Sequence, residues 1–143
     1  MTPRSAPAPA TPADVARVKS AYEALNRKDI EGTIAALHED ATWEEHSELP
    51  EAGSYRGVGL IRAFLEQFLE SWERFHQEIE EEIVRGHCAL LFIHLDASGQ
   101  GSGIEVNSRY AHLWQLRDGK GTRVDAYYDR EQALAALRAA YGE

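Results

Sequence analysis

Apolar residues recur along this chain with two different periods, and the change of period divides it. Between Pro12 and about Arg27, Val15, Val18, Tyr22 and Leu25 fall on one stripe at helical spacing. Thr11 reads as an N-cap, with proline at the first helical position and Asp14 in the first turn. Tyr22 then faces the interior, where its hydroxyl needs a partner. Asp29 caps a second, short helix with Ile30, Ile34 and Leu37 on its buried face. Next comes a short strand in which Ala41, Trp43 and Glu45 alternate with Thr42, Glu44 and His46. A polar loop, Ser47 to Ser54, precedes Tyr55-Arg56-Gly57. The third helix is predicted from Gly57 to Trp72, with Leu60, Ile61, Phe64, Phe68, Leu69 and Trp72 on a broad apolar face.

From Phe75 onward the period drops to two. Strands are predicted near 76–85, 87–97, 103–117 and 120–129, joined by glycine-bearing turns that connect sequential strands as antiparallel hairpins. A last helix, Glu131 to Ala140, carries Leu134 and Leu137. The predicted class is α+β, with helices packed on one face of a curved antiparallel sheet. Residues 1–11, rich in Pro and Ala, read as a disordered tail, leaving 12–141 as a single domain.

Strand faces nominate the chemistry. In 103–117, Ile104, Val106, Ser108, Tyr110, His112, Trp114 and Leu116 share the more apolar face, which sets His112 among aromatic rings. The strand 87–97 is apolar on both faces, and its even-numbered set, Cys88, Leu90, Phe92, His94 and Asp96, offers a second histidine. Glu45 shares a strand face with Trp43. A carboxylate beside an indole in apolar surroundings is expected to titrate nearer neutrality, as a general acid or base must; at the wet end of an edge strand it would be an ordinary surface acid. A Glu–His pair in an apolar hollow handles protons at physiological pH.

Composition narrows the field. The 143 residues carry a net charge of −9, and no basic patch is visible, which excludes nucleic acid and anionic membrane as natural partners. The acidic run Glu78, Glu80, Glu81 and Glu82 has no His or Cys at ligand spacing and reads as a solvated strand face, not a metal site. The single cysteine, Cys88, sits in an apolar strand, as a core thiol does. No signal or membrane-spanning run is present, so a cytoplasmic location is expected.

The runs YEALNRKDIEGTIAALHEDATWEE, SYRGVGLIRAFLEQF and HLWQLRDGKGTRVDAYYDREQALAAL resemble the nuclear-transport-factor-two-like superfamily, nearest the SnoaL-like polyketide cyclases and the ketosteroid isomerases, from about Val15 to Leu137. The resemblance implies a cone-shaped curved sheet wrapped around the N-terminal helices and enclosing a pocket. It also implies a homodimer through the outer sheet face, where Ala111, Leu113 and Tyr127 are too apolar for a wet surface. Glu45 falls where the isomerases keep their proton-shuttling aspartate, and His112 where they keep the acid of the oxyanion hole. Their oxyanion tyrosine would fall at Ala21, not Tyr22. The cyclases pair a penultimate-strand histidine with a last-strand acid; His112 fits, but the register sets Ala126 beside it and turns Asp125 away. The Asp-Arg-Asp set of limonene epoxide hydrolases is missing from 103–117.

Two functions follow. One is a cofactor-free isomerase or cyclase acting on a small apolar carbonyl compound, with Glu45 as base, His112 as donor and His94 assisting. Its cavity would be shaped by Tyr22, Trp43, Tyr55, Phe64, Phe68, Phe92, Tyr110, Trp114 and Tyr128. The other is a non-catalytic small-molecule-binding or dimeric scaffold protein of the same fold.

Overall fold

The computed structural model describes residues 7–46 and 53–141. The first half of the Pro/Ala-rich segment and most of the loop after His46 lie outside the described residues. Ten elements follow one another: α1 Pro12–Asn26, α2 Ile30–Ile34, β1 Leu37–His46, β2 Ser54–Arg56, α3 Val58–Glu70, β3 Trp72–Arg85, β4 Cys88–Gly99, β5 Glu105–Arg117, β6 Lys120–Tyr127 and α4 Arg130–Tyr141. The strands form one curved, unclosed sheet in the order β2-β1-β6-β5-β4-β3.

Local chemistry sets the ends of these elements. Thr11 and Asp14 close a reciprocal capping box at α1, and Asp29 accepts from the Gly32 amide at α2. Asp118 and Gly119 both take positive φ, 52° and 80°, which is the geometry of the two-residue hairpin turn joining β5 to β6. Ala10, at the end of the Pro/Ala-rich segment, is tied down by its amide, which donates to the Gly86 carbonyl.

Several expectations need correction. The sheet is mixed, because β1 pairs in parallel with β6, while every other pairing is antiparallel. Trp72 begins β3 instead of ending α3, and the short β2 pairs with β1. Leu60 is 57% exposed; the buried stripe of α3 is Ile61, Leu65 and Leu69. Ile104 lies outside β5 and is 64% exposed.

The largest correction concerns α4. The helices α1 and α3 pack their apolar stripes on the concave face, in one core with Trp43, Leu91, Ile93, Trp114 and Val124. The helix α4 instead crosses the convex face. Its Ala133 and Leu137 bury Cys88, Leu90, Ala111 and Leu113 in a second core. The apolar outer surface that pointed to a homodimer is therefore covered by the chain itself at Ala111 and Leu113, while Tyr127 stacks on His46 with ring centroids 4.5 Å apart. The acidic run of β3 is paired with cations: Glu80 with Arg109, Glu81 with Arg130 and Glu82 with Lys19. No helix among the described residues is long and apolar enough to cross a membrane.

If α4 seals this face, Leu137→Ala should cost about 2–4 kcal/mol in urea unfolding. It should also speed thiol labelling of Cys88, which is fully buried and whose thiol burial pushes up to about 11. Unchanged labelling would show that α4 is not what shields the outer face.

Candidate functional site

A cavity of about 180 Å³ opens on the concave face between α1, α3 and the sheet. Its inner end is built by β5 and α1. His112 pairs across the sheet with Leu91 on one side and Ala126 on the other. Directly opposite residues share a face, so His112 points inward with the odd-numbered side chains of β4. It is 5% exposed. The ring Nδ1 lies 2.7 Å from the Tyr22 hydroxyl, and Trp114 Nε1 donates to that same hydroxyl oxygen at 2.8 Å. Trp114 is set by Gly121, where an added Cβ would come within 2.7 Å of the indole; only a bare backbone leaves the ring room.

Burial without a charged partner pushes His112 down to about 3, so the imidazole is neutral over the physiological range. The same desolvation holds the Tyr22 phenol well above its ordinary value, and the hydroxyl keeps its proton. Trp43 meets the His112 ring edge-on at 5.0 Å, and Tyr110 lies 5.1 Å from it on the other side.

The carboxylate enters from β1. A register irregularity between Leu37 and Thr42 brings Trp43 opposite Val124 and Glu45 opposite Ala126. Glu45, Ala126 and His112 thus form one row across three neighbouring strands. At about 4.8 Å per strand step the outer two backbones stand roughly 10 Å apart, with Ala126 between them in the row and Trp43 touching both side chains. Both oxygens of Glu45 are engaged: Trp43 Nε1 donates to Oε1 and the Tyr128 hydroxyl to Oε2, each at 2.8 Å. Tyr128 is 50% exposed, so this side of the cavity is the wetter one. Burial, reinforced by the neighbouring Glu45 charge, keeps the Tyr128 phenol protonated and hence a donor.

Of the other expected lining residues, Tyr22, Trp43, Phe64, Phe68, Tyr110, Trp114 and Tyr128 all border the cavity. Tyr55 does not; it stands behind Phe64, with ring centroids 4.5 Å apart. Two residues are on the wrong side of the sheet. His94 pairs with Arg109 and faces outward, where Nε2 meets the Asn107 side-chain oxygen at 3.1 Å. Phe92 also faces outward, beneath the Arg130 guanidinium at 4.2 Å. The strand β4 is apolar on both faces because each covers a core, so alternation alone does not tell inner from outer. Asp125 likewise faces outward, as its register implies, and is held there by Arg123 and His46.

The residue that sequence reasoning overlooked is Gln77. It lies 5% exposed on the cavity wall among charged neighbours of β3, and its amide donates to the Tyr110 hydroxyl. The signal for it was the short alternation Phe75, Gln77, Ile79. Two polar atoms of the wall, Gln77 Oε1 and Trp72 Nε1, are buried without a partner among the described residues. Among the described residues no group of three or more His, Cys, Asp or Glu side chains is placed to hold a metal ion.

A family model for the SnoaL-like domain matches residues 18–124. The chain belongs to that family. No curated protein matches it by sequence. Among solved structures, a nuclear-transport-factor-two-like protein from Burkholderia xenovorans LB400 is 25% identical, covers 91% of this chain and 97% of its own, and superposes with a TM-score of 0.68. A protein from Jannaschia sp. CCS1 assigned to the SnoaL-like polyketide cyclases is 17% identical over 99% of both chains, with a TM-score of 0.73. TerC, co-crystallised with polyporic acid, is 21% identical over 92% of this chain and 99% of its own, also at 0.73. These likenesses establish the SnoaL-like fold.

The buried imidazole has a consequence for stability. Its value falls from 6.5 in the unfolded chain to about 3 in the fold, so between those limits the unfolded chain binds the extra proton. The stability due to keeping His112 neutral is complete above pH 6.5 and is lost as the pH falls. Wild type should lose up to about 1.4 kcal/mol per pH unit more than His112→Gln between pH 6 and pH 4. Parallel pH profiles of urea unfolding for the two proteins would mean that His112 reaches solvent.

Proposed function

We propose that this SnoaL-like domain catalyses proton transfer on a small apolar carbonyl compound, either isomerisation or aldol-type cyclisation, with its own side chains as the only reacting groups. The reading is carried by one observation: Glu45 and His112 lie in a single row of the sheet and border the same aromatic cavity. Glu45 would remove a proton from the carbon next to the carbonyl. His112, a neutral donor, would stabilise the oxygen as enolate charge develops on it. The proton then returns to a different carbon in an isomerisation. In a cyclisation the enolate carbon attacks a second carbonyl, whose oxygen takes the proton. Trp43 and Tyr128 would hold the carboxylate in place from below and from the open side. His94 and Phe92 have no part in this scheme, because they face away from the cavity.

Tyr22 takes a share that the isomerase comparison did not assign to it. Its hydroxyl is hydrogen-bonded to His112, so it would act on the donor instead of replacing it. Small-molecule binding is supported by the fold neighbours, among them TerC with polyporic acid and a ketosteroid isomerase-like protein from Catenulispora acidiphila in complex with trimethylamine.

A second reading, a non-catalytic binder of apolar molecules, is favoured by the engagement of both Glu45 oxygens. The two readings separate on a simple probe. With 2-tetralone in deuterium oxide, an enzyme should accelerate exchange of the protons next to the carbonyl, followed by NMR. Glu45→Gln should lower that rate by about 10²–10⁴-fold while probe binding, read by Trp fluorescence, stays within a few-fold. Binding without any acceleration in wild type would select the binder.

A further inference from the structure

The contact between Tyr22 and His112 can be read in two senses, which differ in the proton left without a protein partner: the Tyr22 hydroxyl proton, or the Nε2 proton of His112, which borders the cavity. An indole N–H only donates, so the Tyr22 oxygen must accept from Trp114. If His112 Nδ1 also carried a proton and donated to that oxygen, the tyrosine hydroxyl proton would point into apolar surroundings. Tyr22 is 6% exposed and has no other hydrogen-bond partner among the described residues. An unpaired buried hydroxyl costs about 1–3 kcal/mol.

We infer that Trp114 and Tyr22 are positioning residues that lock His112 as the tautomer protonated on Nε2, making the cavity a site for a neutral compound bearing an acceptor oxygen. In this arrangement the protons run one way: indole N–H to phenol oxygen, phenol O–H to Nδ1, and Nε2–H onward. Nε2 has no partner among the described residues, and it is not one of the wall atoms that are closed off. His112 is a buried polar side chain with one donor left over, so an occupant that brings an oxygen to Nε2 completes the chain. An ammonium group cannot accept that hydrogen bond. The tautomer holds whether or not the bound compound reacts; its use in stabilising enolate charge rests on the proposed proton transfer.

The test needs no turnover. Two-bond proton–nitrogen correlation spectra of the ¹⁵N-labelled full chain report each histidine nitrogen as protonated or not, and His112 is identified as the signal missing from His112→Gln. In wild type at pH 7, Nδ1 is expected at the unprotonated position and Nε2 at the protonated one. Protonated Nδ1, or the averaged signals of exchanging tautomers, would overturn the inference. Trp114→Phe frees the Tyr22 oxygen from its obligation to accept and should shift both nitrogens towards averaged values. Tyr22→Phe removes the donor to Nδ1 altogether and should likewise shift both nitrogens towards averaged values. If either folded variant left the His112 signals where they are in wild type, the positioning role would be refuted, and the wild-type spectrum decides the tautomer even if a variant fails to fold. Adding 2-tetralone should shift Nε2, whereas 2-aminotetralin, a cation on the same frame, should not. Equal shifts from both would overturn the preference for an acceptor oxygen. Because none of these signals depends on exchange catalysis, an inert protein with the Nε2–H tautomer would sink the enzyme reading and leave this inference standing.

Discussion

A buried imidazole among aromatic rings is costly to charge and needs at least one nitrogen satisfied; burial keeps His112 neutral, and the hydrogen bond between Tyr22 and His112 Nδ1 meets the second condition. It ties the first helix to the middle of the sheet, across 90 positions of sequence. Trp114 reaches the same hydroxyl from the next inward position of β5, so one oxygen joins three buried rings. The rings pack edge-on or tilted around it, each such contact adding about 0.5–1.5 kcal/mol beyond the area it buries. Removing the hydroxyl would strand a donor on Trp114 and an acceptor on His112 at once. The cavity beside this cluster therefore has one wall fixed by hydrogen bonds, while α3 supplies an opposite wall of packed rings, Phe64 and Phe68, with no polar atoms.

Most of this architecture can be read from the chain, and the parts that cannot are those settled by distant segments. The stripe on α1, the cap at Thr11 and the strand spans of the second half are local patterns, and they match the elements that form. The faces of β5 are equally plain, because Glu105, Asn107 and Arg109 alternate with Val106, Ser108 and Tyr110. The adjacent β4 has no such contrast. Both its faces are apolar, since α1 and α3 cover one and α4 the other, so the inward side is fixed by pairing with β5 and not by its own sequence. That is why His94 and Phe92 read as cavity residues and are not. The same blindness made Ala111 and Leu113 look like a surface awaiting a second subunit. Gln77 is the converse case: a polar residue in a run of charges, turned inward by alternation with Phe75 and Ile79 before an irregularity between Ile79 and Glu81 shifts the register of β3 against β4.

Glu45 and His112 differ in how far each lies from water. His112 is at the buried end, where a charge would be costly, and it has become the uncharged partner. Glu45 is half-buried beside Tyr128, which is half exposed, and its two oxygens accept from Trp43 and Tyr128. Exchanging the two would place an ionised acid among Tyr22, Trp43 and Trp114, with the phenol and indole protons its only compensation. The imidazole is thus the deeper of the two groups and the carboxylate the outer one. In the proposed reaction this order would set how a carbonyl compound lies: oxygen towards the interior donor, acidic carbon towards the carboxylate, and the remaining bulk against the rings of α3.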